Sequence, residues 1–339
     1  IRKVKKVINM ALLRDIAVSG FTGLAPTPVE QVAINNYFVN NELFNLLQFV
    51  NIGMGSNIGN LQCSIVTYDA PDSATFRKIG EEYTVSNNEP KYITLVMKML
   101  GGEFETDRVF ARAFSGNENA LDNWTGAQIA QKVNAIINGF CKWFIQGKSE
   151  TDSKQFDGLQ VFFTKHAGQV KNDALEVTGG LTPNNALTVE NFLYELIAMV
   201  PDANCIITSR LKGKPFLQAV ESNRGRGHSK LTVNDKQYNE AVGLPVVGLS
   251  DDCFPSEMTE KGYPFIVCKM AEQDGIRVAV PMNPGVGSQG AILDIVRPRV
   301  GNTDAGEAVF VRKGGVEMVC VPVIEDPFCA AVGYINVGN

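Results

Sequence analysis

Histidine, tryptophan and charge are scarce in this sequence, which has 2 His, 2 Trp and 20% charged residues among its 339 residues. The only histidines, His166 and His228, leave little room for a catalytic triad or a histidine-rich metal site. A phosphate-binding G-x-x-x-x-G-K-[ST] loop and a G-x-S-x-G nucleophile elbow are both absent. No two carboxylates stand out as an acid–base pair. The sequence therefore predicts a protein that is not an enzyme and has no catalytic, cofactor-binding or metal-binding residues.

Long hydrophobic runs are also missing, so no segment is predicted to span a bilayer, and no signal peptide is visible. The seven cysteines are scattered and odd in number: Cys63, Cys141, Cys205, Cys253, Cys268, Cys320 and Cys329. This pattern predicts reduced, buried thiols rather than a disulfide framework. The net charge of −5 argues against a surface that binds nucleic acid throughout.

What the sequence does have is a long amphipathic helix, predicted from Asp122 to Gly147. Its apolar residues recur at steps of three and four and share one face: Ile129, Val133, Ile136, Ile137, Phe140 and Phe144. Asp122 or Asn123 is expected to cap the first turn. Gly147 is expected to end the helix in a left-handed conformation.

The sequence QFDGL follows this helix and leads into an apolar segment, Leu159 to Phe163. Gly158 is expected either to adopt a positive φ or to let two backbones approach closely. Phe156 and Leu159 flank the pair Asp157–Gly158 and are expected to pack onto the end of the helix and the neighbouring strands.

The N-terminal third predicts an arm, a helix and a β-rich projection. Four of residues 1–6 are basic, namely Arg2, Lys3, Lys5 and Lys6, which fits either a solvated terminus or an arm on a polyanion. A helix is predicted from Thr27 through Leu47. Two strands, one on each side of the polar residues 69–90, predict a ribbon that needs a partner surface, and Gly101–Gly102 is predicted to kink the second strand.

The C-terminal half predicts a turn at Leu181–Asn185 and then a helix from Thr188, capped by Thr188 or Asn191. A strand at NCIITS and a helix over Leu211–Val220 follow. Further strands are predicted at LPVVGLS, FIVCKM and IRVAV. The basic loop 221–231 is either solvated or a contact with a ligand or another subunit. Gly285, Gly287 and Gly290 match G-x-G-x-x-G without a βαβ unit around them, which favours a glycine-rich turn over a dinucleotide site. Ala308–Ile324 is predicted to be a hairpin turning at Lys313–Gly315.

This order of pieces resembles the major capsid protein of tailed double-stranded-DNA bacteriophages, whose Hong Kong 97-like fold is shared with encapsulin shells. The resemblance rests on a long helix followed by F-x-G-L, here Phe156, Asp157, Gly158 and Leu159, with a strand-rich projection before it and a helix–strand region after it. It implies an α+β fold with an N-terminal arm, an extended E-loop, a peripheral (P) domain around a spine helix, and an axial (A) domain. The Gly101–Gly102 pair would lie in the return strand of the E-loop.

The resemblance also implies domain boundaries. The arm and first helix would cover residues 1–59 and the E-loop 60–115. The P domain would cover 116–178 and return at 300–325, and the A domain would cover 179–299, with residues 326–339 returning to it. Because the sequence opens on Ile1, removal of a preceding segment also fits this family, although other causes are equally open.

The implied function is a structural subunit that self-assembles into hexamers and pentamers of an icosahedral phage head around double-stranded DNA. The implied location is the virion, after assembly in the bacterial host cytoplasm. Candidate partners are other copies of the chain, DNA touched by Arg2, Lys3, Lys5 and Lys6, and portal, scaffolding and decoration proteins, with no cofactor and no membrane. Two alternatives remain open: an encapsulin-like shell around protein cargo, and a nucleotide-binding enzyme using the Gly285–Gly290 loop. Some relatives join an E-loop lysine to an asparagine of a neighbouring subunit. Lys78, Lys91 and Lys98 are available here, but no matching carboxylate and asparagine are identified, so the resemblance is not extended to that chemistry and cross-linking stays open.

Overall fold

The computed structural model describes residues 41–52, 62–67, 76–80, 82, 91–107, 118–225, 230–234, 236–271, 274–281, 294–296, 311–324 and 326–338. The strands up to the middle of the chain are β1 (Gln48–Ile52), β2 (Gln62–Thr67), β3 (Lys91–Val96), β4 (Lys98–Asp107), β5 (Val170–Val177), β6 (Cys205–Ser209) and β7 (Lys230–Val233). Those after it are β8 (Lys236–Ala241), β9 (Leu244–Leu249), β10 (Tyr263–Cys268), β11 (Arg277–Pro281), β12 (Asp294–Val296), β13 (Val311–Val323) and β14 (Ala330–Val337). The helices are α1 (Glu118–Gln146), α2 (Leu159–Lys165), α3 (Pro183–Ala198), α4 (Gly213–Asn223) and α5 (Ser256–Thr259). The predicted α+β class is confirmed.

Three expectations fall outside the described residues and stay predictions. They concern the basic arm at residues 1–6, the helix start at Thr27 and the glycine motif at 285–290. The end of that predicted helix, residues 41–47, lies within the described residues, and the prediction is wrong there. Residues 42–47 form turns, and β1 follows directly, paired in parallel with β11 from Gln48 opposite Arg277.

The first sheet has the order β1-β11-β13-β12, and β4 pairs with β13. The antiparallel β4–β13 pairing runs from Lys98 opposite Cys320 to Asp107 opposite Val311. The predicted hairpin at Lys313–Gly315 is therefore wrong, because β13 continues straight through this segment. Since β4 pairs with β13 from Val311 to Cys320, a span that includes both glycines, Gly314 and Gly315 need not form a turn.

The predicted kink at Gly101–Gly102 is also wrong, because β4 runs through both glycines without a break. The interruption lies earlier, at the buried Met97, which separates β3 from β4. Gly101 is required for lack of space, because a Cβ there would lie 2.5 Å from the carbonyl oxygen of Val316 on β13. The glycine thus permits close approach of the two strands.

Helix α1 packs its apolar face against this sheet, and all six residues of the predicted stripe are buried. The helix begins at Glu118, so Asp122 and Asn123 lie inside it and do not cap it. Gly147 follows the last turn but is not among the residues with positive φ. A Cβ at Gly147 would collide with the carbonyl oxygen of Phe156, so close packing rather than a left-handed conformation requires the glycine.

The second sheet has the order β5-β14-β10-β6-β9-β8-β7. Its central strands are buried on both faces, and successive side chains enter two different clusters. On β10, Phe265 and Val267 pack with α3 and α4, whereas Ile266 and Cys268 face the large core that also holds α1. Residues from the two sheets and α1 thus share one core, and α3 and α4 cover the other face of the second sheet.

The strands predicted at NCIITS, LPVVGLS, FIVCKM and IRVAV correspond to β6, β9, β10 and β11. Helix α3, however, starts at Pro183, five residues before the predicted Thr188. Thr182 caps it, since its side-chain oxygen accepts a hydrogen bond from the backbone N–H of Asn185 at 3.2 Å. The segment first interpreted as a turn is the first helical turn, with proline at its favoured position.

Six cysteines are free and buried, as predicted: Cys141, Cys205, Cys253, Cys268, Cys320 and Cys329. Within the described ranges, the helices, α1 included, lack the combination of length and hydropathy that a bilayer crossing needs.

Candidate assembly surfaces

The turn after α1 is the first candidate site, because it holds four of the predicted residues. The backbone N–H of Gly158 donates to the carbonyl of Gly147 at 2.9 Å and returns the chain to the end of the helix. Gly158 has φ −97°, so the expectation of a positive φ is wrong. The alternative of close approach holds, since a Cβ at Gly158 would lie 2.6 Å from the carbonyl oxygen of Trp143 and 2.8 Å from that of Phe144.

Phe156 and Leu159 anchor this turn in the core. Both are buried, and the Phe156 ring lies 5.8 Å from the ring of Phe140 on α1. The segment from Leu159 onward is helix α2, whose first N–H groups reach the carbonyl of Gly158 at 3.1 Å from Val161 and 3.3 Å from Phe162. The four residues therefore join two helices.

Asp157 is half-exposed and closes the turn with polar contacts. Its carboxylate accepts the backbone N–H of Ser149 at 2.8 Å and lies 3.5 Å from the ammonium of Lys165. Partial burial alone would raise the pKa of Asp157, but the hydrogen bonds from Ser149 and the charge of Lys165 outweigh it and lower that pKa. The ionised form is the one that the turn uses.

The other predicted residues do not join this turn. Gly101 and Gly102 lie on β4, and a Cβ on Gly102 would lie 3.4 Å from the side chain of Lys132. Since Lys132 precedes the end of α1 by fourteen residues, the two glycines are roughly 20 Å away from the turn along the helix. The basic arm lies outside the described residues.

The second candidate surface is the ribbon of β2 and β3, which pair with each other and with no other described strand. Tyr92, Thr94 and Val96 share one face of β3, and all three are exposed, Tyr92 by 72%. On the opposite face Leu95 packs on the core, and Ile93 is 43% exposed. The ribbon thus presents apolar side chains that the described part of its own chain does not cover.

The outer face of α1 is the third candidate surface. Among residues 124–146, the part of α1 whose side chains the structure describes, the exposed residues form a single stripe at steps of three and four: Ala127, Gln131, Asn134, Ala135 and Asn138. None is charged, although charged residues normally cover the outer face of a helix in water. An uncharged surface of short side chains over about 17 Å can accept a strand or ribbon without desolvating a charge.

The N-terminal part of the described chain is fastened by an ion pair that the sequence did not indicate. The ammonium of Lys214 lies 2.6 and 2.8 Å from the two carboxylate oxygens of Glu42. The backbone N–H of Gly248 donates to the same carboxylate at 2.8 Å. Residues of α4 and β9 thus hold the segment before β1, which is separated from them by more than 170 positions in sequence.

Possible metal ligands and two neighbouring cysteines can be assessed within the described ranges. No group of three or more His, Cys, Asp or Glu side chains there could hold a metal ion. Burial, together with the neighbouring Cys253, raises the pKa of Cys141 to about 12, and burial with the charge of Asp252 raises that of Cys253 to about 11. Both stay protonated near neutral pH and are poor nucleophiles.

Comparison with solved structures places this arrangement in a known fold. The chain superposes on the encapsulin of the holo-SrpI complex from Synechococcus elongatus with a TM-score of 0.55 and 13% sequence identity, covering 87% of this chain and 86% of that one. It superposes equally well, at a TM-score of 0.55 and 11% identity, on the capsid of an empty GTA particle, covering 88% and 89%. This chain has the Hong Kong 97-like fold. The capsid of Microbacterium phage Oxtober96 gives a TM-score of 0.54 at 10% identity, covering 87% and 91%.

Comparisons of sequence add nothing to this assignment. No protein-family model matches the chain, and no curated protein matches it significantly. The Hong Kong 97-like fold named from the residues is therefore confirmed by structure, at identities too low for sequence comparison to detect. The exposed face of the ribbon and the outer face of α1 were missed at the residue level. The lack of charge from Asn123 to Gln146, apart from Lys132 and Lys142, was the available signal for the second.

Proposed function

We propose that this chain is the major capsid protein of a phage-type head, a structural subunit without catalytic activity. In this proposal, copies assemble into hexamers and pentamers of an icosahedral shell that encloses double-stranded DNA. The fold supports the proposal, because the solved structures it resembles are capsid proteins and an encapsulin. Assembly would take place in the cytoplasm of a bacterial host and the product would be the virion.

The observation that carries this proposal is the ribbon of β2 and β3. A two-stranded ribbon is at best marginally stable in water, and this one exposes Tyr92 and Val96 on one face. Both residues gain apolar burial if a neighbouring subunit covers that face. The ribbon is then the E-loop of the subunit, and the uncharged outer face of α1 on a neighbour is the surface that we assign to receive it.

The domain division follows the same proposal, with two adjustments suggested by strand pairing. The P domain holds α1, β4 and β13, and the A domain holds the seven-stranded sheet. Strand β5 pairs with β14 of that sheet although it precedes the predicted boundary at residue 179. Strand β11 pairs with β1 and β13 although it lies within the predicted A domain.

A double substitution on the ribbon tests the proposal. Tyr92→Lys with Val96→Lys adds two charges to the exposed face without touching the core, so subunits should stay folded and soluble. Particles should disappear in negative-stain electron microscopy and in size-exclusion chromatography. Leu211→Lys is the matched control, since Leu211 is also exposed, by 75%, in the loop before α4.

Normal shells from the double variant would overturn the assignment of the ribbon. Equal loss of particles with Leu211→Lys would show that the ribbon has no special part in assembly. Deletion of residues 70–90, which removes the polar stretch between β2 and β3, should reproduce the effect of the double variant while leaving the far-ultraviolet circular dichroism of the remaining chain intact.

An encapsulin-like shell around protein cargo is the second candidate, favoured by the TM-score of 0.55 to the encapsulin. Purified particles distinguish the two, because a phage head yields nuclease-protected double-stranded DNA and a cargo shell yields a co-purifying protein. Gly285, Gly287 and Gly290 lie outside the described residues, and no observation favours a nucleotide-binding enzyme.

A further inference from the structure

A small cavity lies at one end of the seven-stranded sheet. Its volume is about 160 Å³. Strands β6 and β9 run in parallel, and the cavity lies where both end, beside the start of β10. The residues that line it and matter here are Ser209, Lys212, Asp251, Phe254, Glu260 and Tyr263. The carboxyl ends of parallel strands are a common location for ligands in sheets of this kind.

The charges around the cavity are unbalanced toward the negative. Asp251 and Glu260 contribute two carboxylates and Lys212 one ammonium group. Within the described residues neither carboxylate has an ion-pair partner within 4 Å. Asp251 is partly buried, and its Oδ1 atom is buried and lacks a hydrogen-bond partner, an arrangement that costs free energy.

This buried oxygen can turn toward the cavity, because the terminal torsion of an aspartate side chain has a broad minimum. A ligand there must then bring a hydrogen-bond donor, and the surplus negative charge selects a positive one. Phe254 and Tyr263 add aromatic surface, which attracts cations over the ring faces. A cavity of about 150 Å³ holds a molecule of the size of benzene, so the space fits the end of a lysine or arginine side chain.

We propose that this cavity binds an ammonium or guanidinium group through Asp251 and Glu260. An anion is disfavoured, because two carboxylates outnumber the single Lys212 and the N–H of Gly213 at the start of α4 is already bonded to the Ser209 hydroxyl at 2.8 Å. A metal ion is disfavoured, because no three metal-ligating side chains converge in the described ranges and the lining is partly aromatic.

The same chemistry can come from two sources. One is a lysine or arginine side chain of a second copy of this chain, a source that rests on the proposed shell. The other is a free organic amine in solution, which does not. Binding of a small amine to unassembled subunits measures the chemistry of the cavity whichever source fills it, so its failure would leave the proposed shell untouched.

The experiment titrates full-length, unassembled subunits with n-butylammonium and with n-propylguanidinium at low ionic strength, by ligand-observed nuclear magnetic resonance. Saturable binding of both is expected, with no binding of neutral n-butanol. Asp251→Asn should weaken binding about tenfold or more, since a hydrogen bond to a charged group is lost. Glu260→Gln should weaken it in the same direction. Asp252→Asn is the matched control, because Asp252 is exposed and does not line the cavity.

Several results would overturn the proposal. These are no saturable binding of either cation, equal binding of n-butanol, or equal weakening by Asp252→Asn and Asp251→Asn. Tighter saturation by Ca²⁺ than by both organic cations would make the cavity a metal site instead. In assembled particles, density in the cavity that continues into a neighbouring chain identifies a side chain as the source, and isolated density identifies a free amine.

Discussion

At the residue scale, the turn after α1 depends on two glycines that let the backbone approach itself closely. Gly147 and Gly158 lie against each other's backbone, with the N–H of Gly158 bonded to the carbonyl of Gly147 at 2.9 Å. Neither has a positive φ. The requirement is spatial, since either Cβ would enter the volume of a carbonyl oxygen.

Gly158→Ala should therefore destabilise the subunit through overpacking, by about 1–3 kcal/mol. The reason is the distance of 2.6 Å from the added Cβ to the carbonyl oxygen of Trp143, which is backbone and cannot rotate away. Urea denaturation of unassembled subunits measures the change. Gly168→Ala is the control, because a Cβ there meets nothing within 4 Å. Equal free energies of unfolding for the two variants would refute the close-approach explanation.

Asp157 is expected to make the subunit less stable in acid, because its pKa is lower in the folded state than its ordinary value. The contribution of its carboxylate to stability is complete above the unfolded-state pKa, near the ordinary value of 3.8. It is lost as the pH falls through the lower folded-state pKa. The wild type should therefore exceed Asp157→Asn in stability from pH 7 to pH 5, and the difference should shrink below about pH 4.

Thermal unfolding of unassembled subunits between pH 7 and pH 3 checks this prediction. Asp173→Asn serves as the control, because Asp173 is exposed on β5. A difference between wild type and Asp157→Asn that grows below pH 4 would contradict the assigned direction of the pKa shift.

At the element scale, the helices were easier to predict from sequence than the strand connections. The stripe from Ile129 to Phe144 gave α1 and its buried face, because a period of 3.6 depends only on local spacing. The start of α3 was missed because Thr188 offered a competing cap and the true signal, Thr182 followed by Pro183, was interpreted as a turn. A cap is a short sequence signal, so tertiary contacts decide which of two candidate residues begins the helix.

The strand errors have a different cause. Lys313–Gly315 carries a strong turn signal, and Gly101–Gly102 carries a signal for a kink, yet both lie within straight strands that pair with each other. Glycine in a strand can mark close backbone approach as well as a bend. Only the pairing partner decides between these uses, and the partner lies more than 200 positions away. The sequence predicted the ribbon and the long helix as elements, but which face of the ribbon stays exposed depended on its packing against distant parts of the chain.

Helix α1 offers a direct test of its uncharged outer face. Ala135→Glu places a charge in the middle of that face and should leave the helix intact, because glutamate is a good helix former and costs a few tenths of a kcal/mol relative to alanine. We expect folded subunits with reduced particle yield, measured by size-exclusion chromatography. Ala135→Gln is the control with nearly the same shape and no charge, and it should retain more particles than Ala135→Glu. Equal yields from the two variants would remove charge exclusion as the property of this face.

At the scale of the whole molecule, the distribution of charge agrees with a shell subunit that carries −5 overall. Subunits of like sign repel at a distance, so assembly must depend on short-range apolar contact at surfaces such as the ribbon. The basic arm is opposite in sign to the net charge, with four cations in residues 1–6. We assign it to the inner side of the shell, where it would contact the phosphates of DNA.

Replacing Arg2, Lys3, Lys5 and Lys6 with glutamine tests that assignment. Each cation that neutralises a phosphate releases a condensed counterion, so log affinity falls with log salt by about 0.9 per contact on duplex DNA. If all four contact phosphates, their loss should lower this slope by about 3 to 4, and particles should retain less DNA at low salt. Nuclease-protected DNA per particle, measured over a series of salt concentrations, gives both the salt slope and the amount of retained DNA.

The control is Arg2→Lys with Lys3, Lys5 and Lys6→Arg, which keeps every charge and should keep the wild-type slope and the wild-type amount of DNA. DNA retention equal to that of wild type at every salt concentration would contradict a DNA-facing arm. A loss of particles that does not vary with salt would instead mean that the arm braces neighbouring subunits, because contacts between packed side chains are screened far less than contacts with a polyanion.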